Sequence, residues 1–132
     1  MYLLDTNICS YLMRGTFPGL TKKVLSIPPS ELAVSSLTVF ELEYGASKKG
    51  WGINLLNKMH LMLSAFTVIP FEEQDAITAG EIRAYLANAG AQIGVYDLLI
   101  AAQGVSRDMV VVTHNTREFI RVPNIKLEDW VI

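Results

Sequence analysis

Only one of the 132 residues is cysteine, so Cys9 has no partner within the chain and an intramolecular disulfide is excluded. An unpaired thiol suits a reducing cytosol. Charge is sparse as well. Asp, Glu, Lys and Arg make up 18% of the residues against 51% hydrophobic, a balance that excludes intrinsic disorder. Long apolar runs are missing: the longest nearly apolar stretch, residues 61–71, falls well short of the 18 or more that a bilayer-spanning helix needs. The start, Met1-Tyr2-Leu3-Leu4-Asp5, has no basic segment and carries an acid at position 5, unlike a signal peptide, so a cytoplasmic protein is expected. Repeats, low-complexity tracts and Gly/Ser linkers are also lacking, which points to one domain over residues 1–132. At this length folding buries about 68% of the unfolded chain's surface, enough for a core without metal or disulfide staples.

Eleven Lys and Arg against 13 Asp and Glu give a formal charge of −2. That balance alone gives no sign of a nucleic-acid binder, but two divalent cations held by carboxylates would turn it to +2. A mean hydropathy of +0.31 is high for a small monomer and points to apolar surface covered by a partner.

Along the chain, short apolar runs alternate with helical patterns. Residues 2–4 read as a buried strand, and Asp5-Thr6-Asn7 as a helix start leading into a short helix over 8–14 that Gly15 ends. A second helix, over 17–27, is stopped by Pro28-Pro29. Leu32-Ala33-Val34 is the second strand, and Ser35-Ser36 caps a helix running to about Lys49. Leu55, Leu56, Met59, Met62, Leu63 and Phe66 fall on one broad helical stripe, and residues 67–70 form the third strand. Residues 72–89 predict a long helix with Ile82, Tyr85, Leu86 and Ala89 inward, closed by Gly90. Gly94 opens a helix through Val105, residues 109–112 form a central parallel strand, and Trp130 is expected to pack. The pattern is an α/β domain with a mostly parallel sheet, in which function gathers at the carboxyl ends of the strands. Asp5-Thr6-Asn7 and Thr113-His114-Asn115 both sit at such ends.

Several acids lie in apolar surroundings. Asp5 follows a strand, Glu41 lies in the first half of the third helix, and Asp97 stands in Val95-Tyr96-Asp97-Leu98-Leu99-Ile100. An unpaired buried carboxylate is costly, so each needs a reason. Structural reasons exist: Asp5 can cap the first helix, Asp97 in a first turn complements the helix dipole, and Asn115-x-x-Glu118 reads as a capping box. Thr38-x-x-Glu41 has the same spacing, but Ser35-Ser36 is the better helix start and leaves Glu41 inside the helix. Converging carboxylates repel unless a cation sits among them, and hard oxygens without His or Cys point to Mg²⁺ or Mn²⁺ rather than zinc. His60 reads as a helix-surface residue, and His114 as a residue that can line the site.

Four segments in order carry a family resemblance: Leu3-Leu4-Asp5-Thr6-Asn7, Ser35-Ser36-x-Thr38-x-x-Glu41-Leu42, Gly94-x-x-Asp97-x-x-Ile100-Ala101-Ala102, and Val112-Thr113-x-Asn115-Thr116-x-Glu118-Phe119. With Glu128-Asp129-Trp130 they run the length of the chain. In them the chain resembles the PIN-domain ribonucleases, and among these the VapC toxins of bacterial toxin–antitoxin pairs. The resemblance implies an α/β PIN-domain fold, a mostly parallel sheet of four to five strands flanked by helices in three layers. It implies a metal-dependent endoribonuclease with Mg²⁺, or Mn²⁺, on Asp5, Glu41 and Asp97. Asn115 stands where many PIN domains have a fourth Asp, with Glu118 one turn on supplying a charge. Thr6 and Thr113 would orient carboxylates, water or phosphate. The implied cut leaves a 5′-phosphate and a 3′-hydroxyl, with the anticodon stem-loop of initiator tRNA as first substrate.

Around these acids Lys48, on the face of Glu41 two turns away, and Arg117 and Arg121, flanking Asn115, are candidate RNA contacts, as are Arg14 and Lys22-Lys23 after the first helix. Tyr44, Trp51 and Tyr96 can stack on bases, with core packing expected for at least two of them. The resemblance further implies a VapB-type antitoxin whose C-terminal segment folds onto an apolar groove and blocks the site; the first helices and the 39–66 hairpin are apolar enough to offer that groove and a homodimer face. Two alternatives are a PIN nuclease of general RNA processing and an inactive PIN-like binding module. The module would require a missing core carboxylate, and all three are present.

Overall fold

The computed structural model describes residues 1–131. Strands β1 (Tyr2–Leu4), β2 (Leu32–Ser35), β3 (Thr67–Ile69), β4 (Val110–Val112) and β5 (Lys126–Glu128) form one sheet in the order β3-β2-β1-β4-β5, with every neighbouring pair parallel. Between them run helices α1 (Thr6–Arg14), α2 (Pro18–Leu25), α3 (Ser36–Lys49), α4 (Ile53–Ser64), α5 (Glu73–Asn88), α6 (Val95–Ser106) and the short α7 (Thr116–Phe119). A single 3₁₀ turn, Pro29–Glu31, leads into β2.

The inner strands are apolar apart from Ser35 at the end of β2, because both faces of the sheet are covered. Leu3 pairs with Ala33 and Val111, and Leu4 with Val34 and Val112. Successive side chains alternate between faces, so the first set packs under α5 and α6 and the second under α1 to α4. The result is the expected three-layer α/β/α arrangement. Gly104 lets α6 lie close to the sheet: a Cβ there would sit 2.4 Å from Val111 Cγ2. Trp130 packs in the second layer with its ring edge-on to Tyr2 at 5.0 Å.

Several boundaries differ from the sequence reading for identifiable reasons. The first helix starts at Thr6 rather than residue 8 because Asp5 caps it, and Gly15 ends it in the left-handed region at φ 65°. The second helix is shorter, Pro18–Leu25, with Pro18 at its first position. On α5 the buried stripe is Asp75, Ala79, Ile82 and Leu86. Tyr85 is 56% exposed rather than inward, because it falls on the flank of that stripe. Ala89 is exposed too; it is the residue after the helix end. β5 had no strand signature: two of its three residues are charged, as suits an edge strand paired only to β4.

Strand order sets where a site can form. The chain runs from β1 out to β2 and β3 on one side, then returns to place β4 and β5 on the other. The switch point lies between β1 and β4, where the crevice beyond the carboxyl ends of a parallel sheet opens. There the Asp5 amide donates to the Val112 carbonyl at 3.1 Å and the Thr113 amide to the Glu128 carbonyl at 3.0 Å.

Candidate active site

Asp5 leaves β1 at this switch point and is 1% exposed. Its Oδ1 accepts the Ile8 amide at 2.9 Å, the cap that starts α1. Burial pushes its carboxyl up to about 6; the Thr113 hydroxyl and the Ile8 amide counter this, and the charges of Glu41 and Asp129 reinforce it.

Glu41 reaches the same place from α3. The Ser35 hydroxyl, accepting the Leu37 amide at 3.0 Å, caps that helix, so Glu41 stands inside it as the sequence predicts. The Thr6 hydroxyl donates to Glu41 Oε1 at 2.6 Å and lies 3.0 Å from the Thr38 hydroxyl. Because the single proton of Thr6 is committed to the carboxylate, Thr38 is the donor in that second contact. A relay Thr38–Thr6–Glu41 thus fixes the acid, and fully buried Thr38, which the sequence motif contains without a role in the site, is a positioning residue. Its signal was present, since Thr38 lies one turn before Glu41 on the same helix face.

Asp97 comes from the first turn of α6, on the opposite side of the sheet from α3. Its carboxyl is pushed up to about 7, first by burial and then by the charges of Glu118, Asp5 and Glu41. Glu118 accepts the Gly94 amide at 2.7 Å and the Asn115 side-chain amide at 2.8 Å. The Gly94 amide outweighs burial and, with Asn115 and Asp97, holds Glu118 below the usual carboxylate range. A methyl group built at Gly94 would lie 3.5 Å from Glu118 Oε1 and 3.8 Å from Asp97 Oδ2, so both acids converge on that helix start.

The Asn115–Glu118 pair is not a capping box. The Asn115 side chain makes no cap bond to α7 and donates to Glu118 instead, because that carboxylate is drawn toward Gly94. Thr113 Oγ1 accepts the Asn115 amide at 3.0 Å and sets the turn. Asp129, just past β5, is a second residue that sequence reading left out of the site: its charge acts on Asp5, and its Oδ2 lies 3.0 Å from His114 Nδ1. It was hidden because the strand that delivers it has no apolar signature. His114 thus sits at the rim, against Asp129 and the rings of Tyr11 and Phe17.

Asp5, Thr6, Glu41, Asp97, Thr113, Asn115 and Glu118 therefore gather beyond the carboxyl ends of the inner strands β1 and β4. Among the basic candidates Arg121 acts on this cluster, its charge helping to hold Glu118 low. Lys48 is exposed near the far end of α3, its Nζ 5.7 Å from the Tyr44 ring centre, and Arg117 is exposed on α7. Arg121 donates to the Gln92 carbonyl at 3.0 Å, and Lys23 lies over Trp130. His60 is exposed and bonds Glu43 at 2.7 Å. Of the three stacking candidates only Trp51 packs on the core; Tyr44 and Tyr96 are exposed, contrary to the expectation that at least two would pack.

Among the described residues no three His, Cys, Asp or Glu side chains are drawn together tightly enough to hold an ion as placed. Glu41 is turned to Thr6 and Glu118 to Gly94 and Asn115. The donor set fits a hard divalent cation in kind, since it offers carboxylate and amide oxygens whose mutual repulsion a cation would relieve.

Comparison with known proteins agrees with this geometry. Residues 2–125 match the PIN domain family. The tRNA(fMet)-specific endonuclease VapC of Salmonella typhimurium is 39% identical over 129 residues, covering 98% of this chain and 97% of that protein. Ribonuclease VapC2 of Rickettsia felis is 35% identical, with 98% of each covered. Among solved structures, VapBC2 of Rickettsia felis bound to a promoter DNA fragment superposes with a TM-score of 0.91 at 34% identity, covering 98% of each chain. DNA-bound VapBC of Salmonella typhimurium gives 0.86 at 36% identity, over 98% of this chain and 97% of that one. Family match, full-length relatives and superposed folds agree: the chain belongs to the PIN domain family and, within it, to the VapC ribonucleases.

Proposed function

We propose that residues 1–132 form one PIN domain, the toxin of a toxin–antitoxin pair acting in the cytoplasm. Its reaction is the Mg²⁺-dependent (or Mn²⁺-dependent) hydrolysis of an RNA phosphodiester, with initiator tRNA cut in its anticodon stem-loop and a 5′-phosphate and 3′-hydroxyl left behind. The observation that carries this reading is the convergence of Asp5, Glu41 and Asp97, from a strand end and from helices on opposite layers, close enough that their charges oppose one another. A protein rarely buries such a cluster without an external countercharge. The substrate follows the Salmonella typhimurium relative, which bears the tRNA(fMet) specificity in its name.

Asp5, Glu41 and Asp97 would hold the cation. Bound there, Mg²⁺ supplies positive charge to the phosphate and acidity to the attacking water. Thr38 and Thr6 hold Glu41 in one rotamer, Thr113 sets the turn that presents Asn115, and Asn115 and Gly94 keep Glu118 ionised. With Asp97 pushed up to about 7 beside ionised Glu118, the pair holds a proton near neutrality, and a cation held there would favour the ionised form. Lys48 and Arg117, free on the surface, would meet flanking phosphates.

The antitoxin's site is the apolar groove between α1, α2 and α4, a hollow of about 280 Å³ lined by Leu12, Val24, Leu25, Met62 and Phe66 among others. This is the region that the sequence reading assigned to it, and the solved relatives are themselves VapBC complexes. A homodimer completes the assembly.

The test is cleavage of total tRNA in Mg²⁺ by the wild type, Asp5→Ala and Asp97→Ala, with product ends mapped. One discrete cut in the initiator anticodon loop, bearing a 5′-phosphate and abolished by both substitutions and by EDTA, is the expected result. Cleavage that survives both substitutions would refute the mechanism. A cut in another RNA would retain the mechanism and replace the target.

A further inference from the structure

Each of two site acids is preceded in sequence by an aromatic residue: Phe40 before Glu41 and Tyr96 before Asp97. Consecutive residues of a helix point about 100° apart, so as each acid turns toward the strands' carboxyl ends its neighbour turns out to solvent. Phe40 is 51% exposed and Tyr96 42%. Their ring centres lie 5.7 Å apart, bridging α3 and α6. Tyr44, one turn further along α3 and 56% exposed, lies nearly parallel to Phe40, at 16° and 6.4 Å. Folding makes little use of this face, because α3 buries Thr38, Leu42 and Ala46 instead. The three rings and Glu41 line an open hollow of about 420 Å³, and the Lys48 ammonium stands over Tyr44 at its outer end.

We propose that Phe40, Tyr44 and Tyr96 form a stacking ledge that seats an unstacked RNA base beside the phosphate to be cut, with Lys48 on the adjoining phosphate. The proposal rests on the ribonuclease reading and deepens it, making the substrate a single-stranded or loop segment rather than a duplex. Any base offers a π-face to such a ledge, whereas a duplex keeps its faces stacked internally. A nucleotide suits this face better than a protein core does, because Glu41 and the Lys48 ammonium border the rings and interface cores are depleted of charge. A nucleotide brings its own phosphate to the lysine and a flat ring to the aromatics.

The test places 2-aminopurine in a single-stranded RNA and, separately, in a duplex. Binding is followed with the full-length Asp97→Asn protein in Mg²⁺, so that the probe stays intact, and cleavage with Asp97 restored. Stacking quenches the fluorophore. The ledge predicts quenching of the single strand alone. The doubly substituted Tyr44→Leu/Tyr96→Leu protein, which keeps apolar bulk without an aromatic face, should lose the quench and bind about 10- to 100-fold more weakly. KM for cleavage should rise in parallel, while Tyr44→Trp keeps all three values. Thermal melting of each variant checks the fold. A leucine variant with the full quench and parental KM would overturn the ledge and leave the nuclease intact. A leucine variant that only loses a dimer in sedimentation, with RNA affinity unchanged, would also overturn it and assign the face to a second copy. Quenching by a protein that cuts no RNA would uphold the ledge and sink the ribonuclease reading.

Discussion

Asp5 and Asp75 are equally hidden, each 1% exposed, yet their surroundings drive them in opposite directions. Asp75, on α5, collects the Ser106 hydroxyl at 2.6 Å, the Arg107 guanidinium at 3.0 and 3.2 Å and the Glu72 amide at 2.8 Å. Burial works to raise its carboxyl, and these donors hold it below the usual range nonetheless. Burial pushes Asp5 up to about 6; the Thr113 hydroxyl and the Ile8 amide are too few to offset it, and the charges of Glu41 and Asp129 add to it. Burial alone therefore says nothing about role. Asp75 has its full complement of protein partners and staples α5 to the end of α6, whereas the charged groups acting on Asp5 are the carboxylates Glu41 and Asp129. In the function proposed above, that asymmetry separates a structural acid from a functional one.

Exchanging the two roles gives the largest effects. Asp97→Asn removes a charge from the repelling cluster, so cleavage should fall at least about 100-fold, the scale of losing one preorganised electrostatic contact. Stability to urea should stay level or rise. Arg107→Ala should do the reverse, leaving Asp75 buried without its cation. One-sided removal from a buried pair costs about 3–5 kcal/mol. Because the Arg107 side chain is 30% exposed, about 2 kcal/mol is expected, with cleavage at 25 °C within about twofold of the parent. A variant of either residue that loses both properties together would erase the distinction.

The same contrast predicts opposite pH dependences. Asp5 and Asp97 ionise near 3.8 in the unfolded chain but at about 6 and about 7 when folded, so the folded state keeps their protons longer. Their contribution to stability is therefore full below about pH 4 and is lost as pH rises through 6 and 7. Asp75, held low, contributes above 3.8 and loses that contribution as pH falls. Without divalent cations the protein should be about 3 kcal/mol more stable to urea near pH 5 than near pH 7.5: roughly one pH unit of retained protonation on Asp5 and two on Asp97, at about 1.4 kcal/mol each, are discounted because Asp97 is only partly buried. Asp97→Asn should flatten that slope, and Mg²⁺ should reduce it by favouring the ionised acids. A stability that rises between pH 5 and 7.5 in the cation-free protein would contradict the repelling cluster.

Much of this contrast was legible in the sequence, but only one side of it. Asp5, Glu41 and Asp97 stood out because apolar neighbours surround them, and the alternation of strands and helices placed Asp5 and Asn115 at strand ends. Asp75 was invisible. Behind Glu72-Glu73-Gln74 it looks like one more solvated acid, and its partner lies 32 positions away. Periodicity reports where a side chain points on its own element and says little about what waits across the gap. Periodicity places Tyr85 inward for that reason, and it leads to core packing for at least two of Tyr44, Trp51 and Tyr96, whereas Tyr44 and Tyr96 face solvent. Asp129 was lost with the edge strand that carries it, and the Asn115–Glu118 spacing suggested a cap because spacing cannot reveal that Gly94 competes for the carboxylate.

The smallest effect concerns cations rather than acids. Arg107 is committed to Asp75 and Glu72, so its charge is already matched within the protein. Lys48, by contrast, has its ammonium over the exposed ring of Tyr44, which lines the hollow next to Glu41, and stays exposed itself. Neutralising a phosphate releases condensed counterions, and each such contact to single-stranded RNA adds about 0.7 to the logarithmic salt slope. Lys48→Ala should therefore weaken binding of a single-stranded RNA only about two- to fivefold at moderate salt, lower the salt slope by roughly one contact and leave urea stability unchanged. Arg107→Ala, measured below its unfolding transition, should leave the salt slope where it was. If the two substitutions change the slope equally, the RNA path runs past Arg107 as well, and the division between charge kept for the fold and charge offered to the substrate does not hold for the cations as it does for the acids.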